Sequence, residues 1–176
     1  VKEKRKNPGS DLFSKLCLAE SEEGDKLSDK EIVDHVIFIL MAGHDTTAST
    51  ICSLVYLLAK HPEWQEKLRA ECAEASQTPD MAQLRTWTQM GLAIKETLRM
   101  YPPLILIPRH STAHIEIGDY TIPPHTQVTV IMQHNHYMDS IWEEPEKFDP
   151  ERFNNTRREH QKCPHAYSPF GAGKHH

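Results

Sequence analysis

A chain of 176 residues with 38% hydrophobic residues and a formal charge of −5 has apolar material for one packed domain, or for part of a larger one. The acidic balance excludes the basic footprint of a nucleic-acid binder, so no nucleic acid is expected among its partners. Cysteines at 17, 52, 72 and 163 form neither a CxxC pair nor a regular framework, and nothing in their spacing requires an oxidising compartment.

In chain order, the charged opening Lys2-Glu3-Lys4-Arg5-Lys6 reads as a solvated connector. A short helix is expected near residues 12–19. Ser28 and Glu31 form a capping-box start for a long helix over residues 29–60, about 48 Å at 1.5 Å per residue. His61-Pro62 ends it, and Pro62 suits the first position of the next helix, expected to run to about residue 75. Cys52 and Cys72 fall in these helical stretches and read as small core residues. Residues 81–84 suggest a brief turn, and residues 90–100 a further helix that Tyr101-Pro102-Pro103 stops.

Beyond that point the pattern changes. Residues 114–117 and 127–132 alternate as short strands, with turns at Gly118-Asp119 and Pro123-Pro124. From Glu143 the chain is rich in proline, asparagine, charge and aromatics without a period, so an extended packed loop is expected. It ends in the glycine-rich turn Pro169-Phe170-Gly171-Ala172-Gly173-Lys174-His175-His176. The expected fold class is therefore mainly α with a small β-sheet (α+β). Residues 1–100 form a helical part, 101–142 short strands and 143–176 the loop. Asn154-Asn155-Thr156 matches a glycosylation sequon, read as coincidence in a chain without a secretory signal.

One block departs from the local rules. Gly43 to Thr47, in Ala42-Gly43-His44-Asp45-Thr46-Thr47, are all weak helix formers, together about 3 kcal/mol worse than alanine, in the middle of the longest helix. Such a cost mid-helix usually marks a site. Gly43 would let a flat ligand lie against the backbone. Thr46 can donate to the carbonyl of Ala42 four residues earlier, loosening the helix. Asp45 and Thr46 then form an acid–alcohol pair suited to relaying protons. The competing reading is a satisfied polar patch on a packed helix. A membrane span fits poorly, because the apolar run is too short and Asp45 would lie near mid-bilayer.

A second constellation is Glu96 and Arg99, three apart and so on one helix face. Exposed, the pair would mean little. Leu92, Ile94 and Leu98 make the helix largely buried, so the pair needs further partners, and Arg152 in Pro150-Glu151-Arg152-Phe153 offers a guanidinium fork for that purpose.

Ala42-Gly43-His44-Asp45-Thr46-Thr47, Glu96-Thr97-Leu98-Arg99, Phe148-Asp149-Pro150-Glu151-Arg152-Phe153 and Phe170-Gly171-Ala172-Gly173-Lys174-His175 stand in that order. Together they resemble the cytochrome P-450 family of haem-thiolate monooxygenases over nearly the whole chain. The resemblance extends to the helix opening His61-Pro62-Glu63-Trp64 and to residues 136–142.

That resemblance implies a partial cytochrome P-450 fold and a set of roles. Asp45 and Thr46 would deliver protons to oxygen at the haem, and Ala42 and Gly43 would line its distal face. Glu96, Arg99 and Arg152 would form a buried charge triad on the proximal side. Arg109 and His175 would hold haem propionates. Phe170 would pack over the axial ligand, while Gly171 and Gly173 let the loop turn beneath the ring. Residues 104–107 would flank the substrate space.

The implied cofactor is haem (iron protoporphyrin), with electrons drawn from NAD(P)H through a ferredoxin- or flavoprotein-type partner. The implied reaction inserts one oxygen atom of O2 into an apolar organic substrate. The family's axial cysteine would directly follow His176, so no residue of this chain is expected to ligate the metal; Cys163 stands in a different place relative to Phe170. The expectation is an internal fragment, inactive by itself. Its parent would be cytoplasmic if soluble, or membrane-associated if an anchor precedes Val1.

Two other readings compete. A degenerate, non-enzymatic helical interaction module of the same family is one. A metal-binding protein is the other, built on His134-Asn135-His136, Cys163-Pro164-His165 and His175-His176, though no spacing approaches that of a structural zinc site.

Overall fold

The computed structural model describes every residue except 74, 76, 77 and 174–176. It divides into two compact units, residues 1–48 and 49–176. The helix α3, Asp29–Lys60, is continuous through the division.

In the first unit, the lysine-rich opening is helical: α1 spans Lys2–Lys6 and packs on α2, Leu12–Leu18. The reason lies in the capping residue. The Asp11 carboxylate accepts from the Ser14 N–H at 2.9 Å, satisfying an orphan donor of α2, and also receives the Lys4 ammonium at 2.6 Å. These bonds hold the Asp11 carboxyl down at about 2, the Lys4 contact contributing most. Arg5 donates to the Leu27 carbonyl at 2.6 Å, tying α1 to the chain that enters α3. There the capping box forms: the Ser28 N–H donates to Glu31 Oε2 at 2.8 Å and the Glu31 N–H to Ser28 Oγ at 3.3 Å.

In the second unit, α4 spans Pro62–Glu71, α5 Met81–Thr86 and α6 Thr88–Met100. The expected turn at residues 81–84 is thus a helix, because the Asp80 carboxylate caps it by accepting from the Gln83 N–H at 2.8 Å. Helix α6 starts two residues earlier than its apolar period suggests. Glu71, from the end of α4, accepts from the N–H groups of Gln89 and Met90 at 2.7 and 2.8 Å, a cap supplied from another helix.

The sheet region holds two antiparallel pairs. Strand β1, Leu106–His110, pairs with β4, Gln127–Ile131, setting Ile107 opposite Val130 and Arg109 opposite Val128. Strands β2, Ile115–Ile117, and β3, Tyr120–Ile122, form a hairpin turning at Gly118, where φ is +57°. The sequence pattern does not reveal β1 and β3, since Pro108 interrupts one and three residues are too few to show a period in the other. Met132 leaves the sheet and starts α7, Met132–Asn135.

Residues 143–176 follow an extended course broken by 3-10 turns at Pro150–Phe153 and Glu159–Gln161. Two apolar clusters anchor it. Leu92 of α6 meets Ile141, Trp142, Phe153 and Ala166, while Leu57, Trp64, Met100 and Phe148 form the other. The loop is therefore a core element: its aromatics fill the space beside α6.

Several sequence expectations on burial are corrected. Cys52 is exposed and Cys72 half-buried; Cys17 is the buried cysteine. Ile94 is exposed, although Leu92 and Leu98 of the same helix are buried. Asn154 of the sequon is engaged, its Oδ1 accepting from the N–H groups of Thr156 and Arg157 at 2.9 Å each. No helix among the described residues is long and apolar enough to cross a membrane.

Candidate functional site

Helix α6 places Glu96 and Arg99 one turn apart, and both side chains are wholly buried. Burying a carboxylate or a guanidinium is tolerable only with full hydrogen bonding and a balancing charge. Both conditions are met. Arg99 forks onto Glu96, Nε to Oε2 at 2.7 Å and Nη2 to Oε1 at 2.9 Å. Its Nη1 donates to the His136 carbonyl at 2.7 Å. The guanidinium also lies 5.3 Å from the Trp142 ring and 5.4 Å from that of Tyr137.

Arg152 comes from the 3-10 turn, 56 residues on. Its Nε donates to Glu96 Oε1 at 3.1 Å, and its remaining donors reach the carbonyls of Glu143, Glu144 and Lys147 at 2.8–3.3 Å. The Asp149 N–H adds a further bond to Glu96 Oε1 at 2.9 Å. Structure thus brings Glu96, Arg99 and Arg152 together.

It also adds a fourth member that the sequence reading missed. Glu159 is 2% exposed, and its Oε2 accepts from Arg152 Nη1 at 2.9 Å and from the Glu143 N–H at 3.1 Å. Arg157 forks onto its other oxygen. Two buried guanidiniums thereby face two buried carboxylates, and the buried charge sums to zero. A signal was available: one acid for two buried arginines leaves a charge unmatched, so a second carboxylate was required nearby. Burial raises the Glu159 carboxyl, but the Glu143 N–H and the two arginines outweigh it and hold it below its ordinary value.

His136 entered the sequence reading only as part of a competing metal-ligand pair, and it is fully buried. Its Nδ1 lies 3.1 Å from the Arg99 carbonyl and its Nε2 accepts from the Ser168 N–H at 3.1 Å. A carbonyl can only accept and a backbone N–H can only donate, so the ring is neutral with its proton on Nδ1. Burial pushes its pKa down to about 4; the bond to the Arg99 carbonyl opposes this and the Arg99 charge assists it.

Ser168, the partner of His136 Nε2, lines a cavity of about 310 Å³. Ile107 and Arg109 face it from β1, Val130 from β4 and Met132 from α7, with Ser168 and Gly171 on the loop side. Arg109 is exposed, its Nη1 bonded to the Pro108 carbonyl at 3.0 Å. Gly171 has φ +82°, and a Cβ there would stand 3.0 Å from Ile107 Cδ1. Both facts call for glycine: only it takes this backbone freely, and only it leaves the Ile107 contact unstrained. Gly173, at φ +87°, meets the first need alone. Phe170 is 73% exposed. An apolar wall, one guanidinium and a glycine floor fit a flat, mostly apolar ring with an anionic edge. His175 lies outside the described residues.

The polar block of α3 belongs to the first unit. Thr46 Oγ1 donates to the Ala42 carbonyl at 2.6 Å, the back-bond expected from the spacing. Asp45 receives the His44 ring Nδ1 at 2.8 Å and is exposed. A side chain built at Gly43 meets open space among the described residues. Ile37, Phe38, Leu40 and Met41, which precede the block, are 50–68% exposed, and Ile32 is the buried residue of this unit's part of the helix. Among the described residues, no group of three or more His, Cys, Asp or Glu side chains is arranged to hold a metal ion. His136, part of one candidate ligand pair, is committed to Arg99 and Ser168.

Comparison with known proteins agrees with this geometry. The chain matches the cytochrome P450 family profile over residues 1–176. It is 39% identical over 176 residues to putative cytochrome P450 136 of Mycobacterium tuberculosis, covering 99% of this chain and 36% of that protein. It is 36% identical over 180 residues to cyclooctat-9-en-7-ol 5-monooxygenase of Streptomyces melanosporofaciens, covering 99% and 39%. The structure of retinoic acid-bound cyanobacterial CYP120A1 superposes with a TM-score of 0.92 at 28% identity, covering 98% of this chain and 40% of that one. The chain therefore spans 36–40% of the length of these proteins. With its mainly helical fold, small antiparallel sheet and full-length profile match, this chain belongs to the cytochrome P450 family.

Proposed function

We propose that the complete protein carrying this chain is a haem-thiolate monooxygenase acting on an apolar organic molecule. The observation that carries the reading is the neutral buried lattice of Glu96, Arg99, Arg152 and Glu159, linked through His136 to Ser168 in the wall of the cavity that Arg109 and Gly171 also line. Four buried charges fix the segments they join, and His136 extends that fixed frame to the loop at Ser168.

When bound, haem would supply the redox chemistry: one O2, two electrons and two protons convert a C–H bond to C–OH and release one water. The chain's own residues do the rest. Arg109 would pair with a propionate, a charge-assisted contact. Ile107, Val130 and Met132 would cover apolar ring surface and exclude water from it. Glu96, Arg99, Arg152 and Glu159 join α6 to the 3-10 turns, and His136 carries that anchorage on to Ser168. By the family resemblance, Ala42 and Gly43 of α3 would leave room for a flat ring. Asp45 would exchange protons with solvent, which its exposure permits, and the Thr46 hydroxyl would relay them. Electrons come from NAD(P)H through a ferredoxin- or flavoprotein-type donor. An apolar substrate is supported by two similar proteins, one named for cyclooctat-9-en-7-ol and one solved with retinoic acid.

The deciding experiment is the reduced carbon monoxide spectrum of the complete protein. A long-wavelength Soret band, together with O2-dependent hydroxylation of an apolar probe, is expected. A haem protein without that band would overturn thiolate ligation, and a haem-thiolate protein with no turnover would favour the non-enzymatic module.

A further inference from the structure

We propose that His136 is a positioning residue that sets the haem-binding loop at a fixed height above the buried charge lattice. The inference rests on the haem reading above, but the geometry behind it is independent of any ligand. His136 and Arg99 bond each other twice: the Arg99 guanidinium donates to the His136 carbonyl at 2.7 Å, and His136 Nδ1–H donates to the Arg99 carbonyl at 3.1 Å. That carbonyl is one of the last in α6, where helical partners run out. The far side of the same ring, Nε2, accepts from the Ser168 N–H at 3.1 Å.

Ser168 is where the glycine-rich turn begins. Its carbonyl accepts from the Gly171 N–H at 3.0 Å, and a Cβ on Gly171 would press on Ile107 Cδ1 in the cavity wall. One unbroken chain of contacts thus runs from Glu96 through Arg99, His136 and Ser168 to Gly171. The lattice alone does not reach the loop; the imidazole supplies the span. A neutral ring with one donor and one acceptor on opposite sides is what the span demands, since both flanking backbone groups are fixed in kind. The Tyr167 ring, 5.6 Å from that of His136 by centroids, limits its rotation.

The two nitrogens can be tested separately in the complete haem protein. His136→Asn puts an amide near the Nδ1 position and loses the acceptor for Ser168. His136→Gln reaches the Nε2 position with its amide oxygen and keeps that acceptor. His136→Phe keeps the ring shape and loses both bonds. The Asn and Phe variants are expected to lose haem about tenfold faster than wild type. They should also give a mixed reduced carbon monoxide spectrum, with part of the long-wavelength band moved to shorter wavelength. The Gln variant should keep the wild-type spectrum and haem-loss rate.

A purely structural role predicts otherwise: haem loss following melting temperature, with Asn and Gln alike. That result would overturn the proposal, as would an unchanged spectrum in the Phe variant. If none of the variants folds, hydrogen exchange at the Ser168 amide of the wild-type protein decides. Protection of about 100-fold or more supports the bond, and exchange at the free-peptide rate overturns it. A wild-type protein lacking the long-wavelength band would defeat the haem reading itself, an outcome distinct from these.

Discussion

Glu159 Oε2 and Arg152 Nη1 meet at 2.9 Å with both side chains buried, and this contact makes the charge lattice neutral. Without it, two guanidiniums would share the Glu96 carboxylate. Removing one partner of a buried pair costs about 3–5 kcal/mol, because the other charge stays behind unpaired. Glu159→Gln keeps the shape and leaves Arg152 under-compensated. The complete protein with this change is expected to melt several degrees lower and to retain less haem. A melting curve with haem quantitation checks both, and wild-type values in both would reduce Glu159 to a bystander.

The neutral His136 makes stability fall on acidification. Its folded pKa of about 4 lies below the ordinary 6.5, so the unfolded chain binds the proton more readily. The contribution is fully present above pH 6.5 and is lost as pH falls toward 4, on the order of 3 kcal/mol in all. Below pH 4.5 Glu159 adds a loss of the same sign, since its folded pKa is also held down. Urea titrations across this range should show a declining midpoint in wild type and a flatter profile in His136→Gln between pH 6.5 and 4.

Gly171→Ala carries two separable penalties. A non-glycine residue at φ +82° costs about 1–2 kcal/mol, and its Cβ at 3.0 Å from Ile107 Cδ1 forces a shift. Ile107→Val removes that carbon. The double variant is therefore expected to recover part of the lost haem retention, but not all of it, since the backbone term remains. Full recovery would assign the glycine to packing alone, and no recovery would assign it to backbone conformation alone.

Thr46→Ala separates proton delivery from scaffolding. The hydroxyl donates to the Ala42 carbonyl at 2.6 Å, and alanine is the better helix former by about 0.5 kcal/mol. Fold and haem should persist. Product per electron consumed should drop, with the missing equivalents appearing as hydrogen peroxide or excess water. Unchanged coupling with a lower melting temperature would make this threonine structural.

Local chemistry was legible in the sequence wherever neighbours in the chain determine it. The capping box at Ser28 and Glu31, the Thr46 back-bond and the one-turn spacing of Glu96 and Arg99 all lie within four residues, where helix geometry alone brings partners together. The four ordered motifs that carry the family resemblance are of the same local kind.

Tertiary structure decided whatever joins distant segments. Glu71 capping α6, Arg152 reaching Glu96 across 56 residues, and His136 spanning Arg99 and Ser168 have no period that a window could detect. Strand β1 is invisible locally because Pro108 interrupts its pattern, and its partner β4 comes from a distant stretch of chain. Glu159 shows the reason most clearly. Its burial follows from neutralising two arginines that the fold brings together, and charge balance in a buried site is a property of the assembled volume, not of any stretch of chain.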